Sequence, residues 1–145
     1  MLEELQKVLN AEIPLTSAIS IKTEEYTGLS LSLSAPLEKN INHKSTAFGG
    51  SLYCVSVLSG WGLIYLTMKQ LGLSGHIVIQ ESNTKFLRPV ASDIIATSEF
   101  SSQAQCDKFI QMFKRKNIAR VKLTSRIMSD NIPAVIFEGN YVVHT

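Results

Sequence analysis

Asn42, His43, Gly49 and Gly50 fall close together in the stretch NHKSTAFGG, just ahead of a segment that carries no charge until Lys69. A glycine pair at a helix start leaves backbone amides without intrahelical acceptors, and no Cβ holds a ligand away from them. Those amides also lie at the positive end of the helix dipole, which suits a phosphate or a carbonyl becoming an oxyanion. On this basis Gly50 is a candidate oxyanion donor, with Gly49 and Phe48 beside it against the substrate. Asn42 is placed to orient water or a carbonyl, aided by a hydroxyl such as Ser56 or Ser59. His43 is the nearest group able to move a proton near neutral pH, and it fits an exposed loop position equally well. Glycine inside a helix costs about 1 kcal/mol relative to alanine. A second reason for the pair therefore stays open: it lets the helix pass close under a strand, together with Ser51, Cys54, Ser56, Ser59, Gly60 and Gly62.

Seven of the fourteen Lys and Arg residues lie between Lys108 and Arg126, so the net charge of +2 is a local matter. Arg120, Lys122 and Arg126 alternate on one strand face, either as a solvated stripe or as a landing site for phosphates or an acidic surface. Arg88 is a further candidate for phosphate, or simply holds a strand end. No aromatic residues alternate with these charges as a nucleic-acid stacking platform requires. His43, His76 and His144 have no zinc-type spacing and form no metal pair in the sequence, so no metal is expected. Cys54 and Cys106 read as free thiols. Trp61 is either a core residue or a tunnel lining, its indole N–H needing a partner when buried.

These groups need a scaffold, and the hydrophobic periods supply one. Leu2, Leu5, Val8 and Leu9 predict a short helix over residues 2–11 that Pro14 stops. From Ala18 to Ala35 the period is two, broken by a turn at Thr27-Gly28, which predicts a hairpin. Residues 36–46 are a polar loop. The apolar run 47–71, capped by Ser45 or Thr46, predicts one helix buried nearly all round. Strands are expected over 77–87 and 94–100. Ser102 as N-cap with Gln105 predicts a capped helix over 103–116. Two further strands, 119–128 and 135–143, flank a turn at Ser129-Asp130-Asn131.

A chain of 145 residues that is 45% hydrophobic and 18% charged predicts one folded domain. The uncharged span 45–68 is long enough to cross a bilayer. Its opening glycines, its frequent serines and a sheet that needs a core helix favour a buried helix and no membrane partner. The acidic N-terminus lacks the basic start of a signal peptide, so a cytoplasmic protein is expected. Six strands and one wholly apolar helix are accommodated when a single sheet curls around the helix, with a symmetric homodimer covering what remains.

NHKSTAFGGSLYCVSVLSGWG at 42–62, with NTKFLRPV at 83–90, resembles the hotdog-fold acyl-thioesterase superfamily. It is most similar to the thioesterase domain attached in some bacteria to a GNAT-type acetyltransferase. The resemblance covers nearly the whole chain. It implies an α+β hotdog fold over residues 1–145, with a curved antiparallel sheet of about six strands around a long central helix. It further implies a homodimer or dimer of dimers that hydrolyses acyl-CoA or acyl-carrier-protein thioesters at the dimer interface, with no cofactor. Arg88, Arg120 and Lys122 are then candidates for the phosphates of coenzyme A or a carrier's acidic surface, and Trp61 for the acyl tunnel.

In the related pattern N-x-x-G-x-x-H-G-G, Asn42, Gly49 and Gly50 match, whereas Ser45 replaces the first glycine and Phe48 the histidine. The acid expected seven positions after the second glycine falls on Val57. No carboxylate base is therefore present on the helix, although Glu81 or Asp93 can enter a site from a facing subunit. A noncatalytic acyl-thioester binding module is the alternative that these departures favour.

Overall fold

The computed structural model describes residues 1–145. In chain order it contains α1 (Leu2–Glu12), α2 (Leu15–Ala18), β1 (Lys22–Tyr26), β2 (Ser30–Ala35), α3 (Gly49–Gln70) and β3 (His76–Phe86). These are followed by β4 (Ile94–Glu99), α4 (Gln103–Lys116), β5 (Ile118–Ser129) and β6 (Ile132–His144). The six strands form one antiparallel sheet in the order β1-β2-β4-β5-β6-β3. Five of its strands, β2 through β6, touch α3, so the sheet wraps the helix in the hotdog arrangement expected from the sequence.

The alternation that predicts each strand also sets its inward face. Leu31, Leu33 and Ala35 of β2, Leu123 and Ile127 of β5, and Val135, Phe137, Tyr141 and Val143 of β6 are all buried against the helices. Leu63 and Ile64 of α3 are fully buried, each contributing roughly 1.5–3 kcal/mol relative to exposure. α3 is long and apolar enough to cross a membrane, yet 72% of its most apolar stretch is buried inside the protein. The helix comes close to the sheet along a seam of small residues. Ser59 Oγ lies 3.1 Å from Ser125 Oγ, and a Cβ on Gly60 would collide with the Tyr141 hydroxyl.

Away from α3, two boundaries differ from the sequence expectation by several residues. Pro14 does not merely end α1; it sits in helical conformation at the head of α2, because a proline whose N–H is not needed is well suited to a helix start. The chain around Ile19 is therefore a turn, with Ser20 at φ 57°, and the hairpin begins only at Lys22. β6 starts at Ile132, three residues before the expected Val135, since Asp130 and Asn131 both take positive φ and close a two-residue hairpin. The capped helix is as expected: Ser102 Oγ accepts from Gln105 N at 3.1 Å, and Asn117 closes its far end in left-handed conformation.

Candidate active site

The polar loop before α3 is organised by Asn42. Its Oδ1 accepts from the main-chain N–H of Lys44 at 2.8 Å and of Thr46 at 3.1 Å. Its Nδ2 donates to Thr46 Oγ1 at 3.0 Å. An asparagine bonding to main chain two and four residues on replaces a regular turn with a side-chain-built one. Ser45, standing where the related pattern has glycine, adopts φ 65°, which explains that glycine in conformational terms. Further along, Ala47 N donates to Val90 O at 2.8 Å and Phe48 N to Asn40 O at 2.7 Å. The first bond pins the start of α3 beside the segment that leaves β3, and the second ties it back to the loop that precedes it.

The helix begins at Gly49, with Phe48 as an extended N-cap that offers no side-chain cap. This corrects the expected start at Ala47 and the expected capping by Ser45 or Thr46: Ser45 is held in a left-handed turn, and the Thr46 hydroxyl is engaged with Asn42. The first helical bond runs from Leu52 N to Phe48 O, leaving the N–H groups of Gly49, Gly50 and Ser51 without acceptors in the chain. The two glycines differ in their surroundings. A Cβ on Gly50 would run into the ring of Phe48, whereas one on Gly49 would meet only Phe86, at an ordinary 3.9 Å. Neither glycine passes under a strand; close packing against the sheet falls to Gly60.

A cavity of about 390 Å³ opens at this helix start, and its walls include Asn42, Thr46, Gly49, Phe86, Arg88 and Val90. Phe48, Phe86 and Leu87 are exposed by 57%, 54% and 52%, giving the cavity an apolar, uncovered rim. Arg88 is the only titratable residue on its wall. The positive helix end and this guanidinium together favour an anionic or carbonyl-oxygen group. No carboxylate, imidazole or thiol lines it, so this chain's cavity wall can polarise a carbonyl but offers no base.

Of the residues singled out from sequence, Asn42, Gly49 and Arg88 meet at the cavity. Gly50 and Phe48 lie beside it, stacked on one another. His43 is exposed in the loop and does not line the cavity. Trp61 stands twelve residues beyond Gly49, about 18 Å along the helix axis. There its indole donates to Ile77 O at 3.1 Å and its ring stacks on Tyr65. Arg120 and Lys122 line a separate cleft between α4 and β5, where Lys122 is paired with Glu138 at 3.7 Å.

Ser56 and Ser59 do not reach the cavity either. Both are fully buried and donate to carbonyls of their own helix, Leu52 O and Ser56 O. Val57, at the position of the expected acid, is half-buried against the core, and its carbonyl accepts from the Tyr141 hydroxyl at 2.7 Å. Burial raises the thiol pKa of Cys54. Asp93 accepts from Leu37 N at 2.9 Å, whereas Glu81 projects from β3 exposed. Sequence reasoning did not single out Phe86 and Thr46 as wall residues. The run Phe86-Leu-Arg-Pro-Val90 contained the signal, since a proline after an apolar strand end turns the chain back toward its neighbours.

A larger cavity, about 590 Å³, lies at the other end of α3, between Thr67, Cys106, Asp107 and Lys114. Burial, with the Asp107 charge adding to it, raises the Cys106 thiol there and disfavours a nucleophilic role. The smaller cavity at Gly49 combines free amides with a cation and is the better candidate site.

Residues 2–145 match the protein family described as "Putative thioesterase (yiiD_Cterm)". A protein of unknown function from Chlorobaculum tepidum is 33% identical, with TM-score 0.94 over 99% of this chain and 93% of that one. A "putative thioesterase" from Shewanella oneidensis is 30% identical, with TM-score 0.91 over 99% and 97% of the two chains. A thioesterase from Haemophilus influenzae shares the fold at 16% identity, with TM-score 0.75 over 99% and 90%.

Proposed function

The chain belongs to this thioesterase family, and from that membership we propose that it hydrolyses acyl-CoA or acyl-carrier-protein thioesters at the Gly49 cavity. The observation that carries the proposal is the run of acceptor-free amides at Gly49–Ser51, whose first residue, Gly49, shares a cavity wall with the Arg88 guanidinium. Water adds to the thioester carbonyl, the amides of Gly49 and Gly50 stabilise the oxyanion, and collapse of the tetrahedral intermediate expels the thiolate. Asn42 acts by holding the loop that presents these amides, since both of its polar side-chain atoms are engaged within that loop.

The base comes from outside the cavity wall. β3 has β6 on one side and no strand on the other, and its exposed Val78 and the neighbouring exposed Leu87 are apolar. An unpaired eleven-residue edge of this kind is a template for another strand. We assign it to a second copy, in a homodimer or dimer of dimers of 1–145 hotdog domains that carries Glu81 toward the facing site. The working compartment is the cytoplasm. The resemblance to domains attached to acetyltransferases is consistent with a module that handles acyl groups.

Thiol release from acyl-CoA and acyl-carrier-protein substrates of graded chain length tests the proposal, with Gly49→Ala as the informative variant. A methyl there meets only Phe86 at ordinary contact, so stability should stay within about 0.5 kcal/mol. By intruding on the amides it should lower kcat/KM by about tenfold or more. No thiol release from any substrate rejects hydrolysis. The lack of a base on the cavity wall favours one other function, noncatalytic binding of acyl thioesters, which predicts saturable acyl-CoA affinity without turnover.

A further inference from the structure

His76 opens β3 and His144 closes β6, and the antiparallel register sets the two residues opposite one another. Their rings face the same side of the sheet, with centroids 5.5 Å apart and planes tilted by 40°. Both side chains are exposed, so a dissolved ion has access to them. Imidazole nitrogens bind zinc-type cations at about 2.0–2.1 Å. Rings at this separation can converge on one ion by side-chain rotation alone, with the backbone ladder holding their Cα atoms in place. The pairing of β3 with β6 is regular from His76–His144 to Ile79–Tyr141, ahead of a register shift before Glu81, and this makes the spacing a property of the fold.

A second contact points the same way. His144 Nδ1 lies 3.2 Å from the main-chain oxygen of Thr145. That oxygen has no proton to give, so Nδ1–H is the donor and the lone pair of Nε2 is left free. An imidazole whose other nitrogen donates to a backbone oxygen is the usual arrangement of a metal-ligating histidine. No third His, Cys, Asp or Glu completes a cluster, so water fills the remaining coordination positions.

We propose that His76 and His144 form a two-histidine site for a divalent transition cation of the imidazole-binding class, clipping the edge strand β3 to β6. The pair stands at the end of β3 away from Phe86, about 30 Å along the strand from the Gly49 cavity. The site is independent of the thioester chemistry. Neutral imidazole favours Zn²⁺, Ni²⁺ and Cu²⁺, whereas Mg²⁺ prefers oxygen ligands and retains its waters.

Calorimetric titration of the full chain with Zn²⁺, Ni²⁺ and Mg²⁺, paired with thermal melts, tests this site. Expected are one saturable Zn²⁺ or Ni²⁺ site per chain tighter than millimolar, a rise in Tm on binding, and no effect of Mg²⁺. His76→Ala and His144→Ala should each weaken binding by about tenfold or more, as loss of one of two ligands requires. Both residues are exposed, and unchanged metal-free melts will verify that the variants fold. His43→Ala should bind as the parent does. Absence of saturable binding, binding that survives both substitutions, or binding lost with His43 overturns the proposal.

Discussion

Ser45 and Phe48 show how residues that differ from a related sequence pattern are accommodated. At φ 65°, Ser45 occupies a conformation that disfavours a side chain by roughly 1–2 kcal/mol. The Asn42 bonds to Lys44 and Thr46 on either side hold it there. Ser45→Gly should therefore raise stability by up to about 1 kcal/mol, the strain relief being partly offset by glycine's greater freedom when unfolded. A shift of the urea midpoint upward with an unchanged slope checks it; a lower midpoint shows that the serine is not strained. Phe48 fills the space that a Gly50 Cβ would take, so the second glycine has a packing reason as well as a chemical one. Gly49 has no such packing reason, which is why the activity test uses it.

At the scale of elements, α3 and the sheet are fitted by their small residues. Gly60 stands against the Tyr141 ring and hydroxyl, and that hydroxyl is fixed by donating to Val57 O. Gly62 faces only the ends of the Leu31 and Leu5 side chains, which can move aside. Gly60→Ala should accordingly cost about 1–3 kcal/mol by overpacking, and Gly62→Ala less. Chemical denaturation of both variants gives the order; equal or reversed losses mean that the seam relaxes in some other way. At the N-terminal end, α1 is held to α3 by the exposed ion pair of Glu4 with Lys69, which lowers the Glu4 carboxyl and raises the Lys69 amine.

For the whole molecule, the open edge of β3, the exposed rim of Phe48, Phe86 and Leu87, and a cavity wall without a base all lie on or next to one face. A second copy that covers this face would pair the strand edge, bury the rim and close the cavity in one step. Sedimentation at micromolar concentration should give an even multiple of the 16.0 kDa chain. Leu87→Asp should shift the mass toward that of one chain and lower thiol release in parallel. A parent protein that sediments as one chain while hydrolysing thioesters would remove the partner from the mechanism.

The amino-acid sequence by itself determined the six strands and the main helices, though not α2 or the start of α3, because period two, period 3.6, the Ser102 cap and the turn residues are local signals that tertiary packing here reinforces. It also singled out the glycine pair as a candidate for chemistry, since the cost of helical glycine and the polarity of a helix start can be judged without coordinates. Distances between segments remote in sequence were decided only by the tertiary structure. Strand register brought His76 to His144 and separated Arg120 and Lys122 from the cavity, while the turn after Phe86 brought Arg88 to Gly49. Hydrogen-bond partners were decided there too: Asn42, Ser56 and Ser59 are polar residues near the glycine pair in sequence, yet their side chains are engaged inside the fold. A sequence shows which atoms are available; which of them remain free depends on what each one meets when the sheet closes around α3.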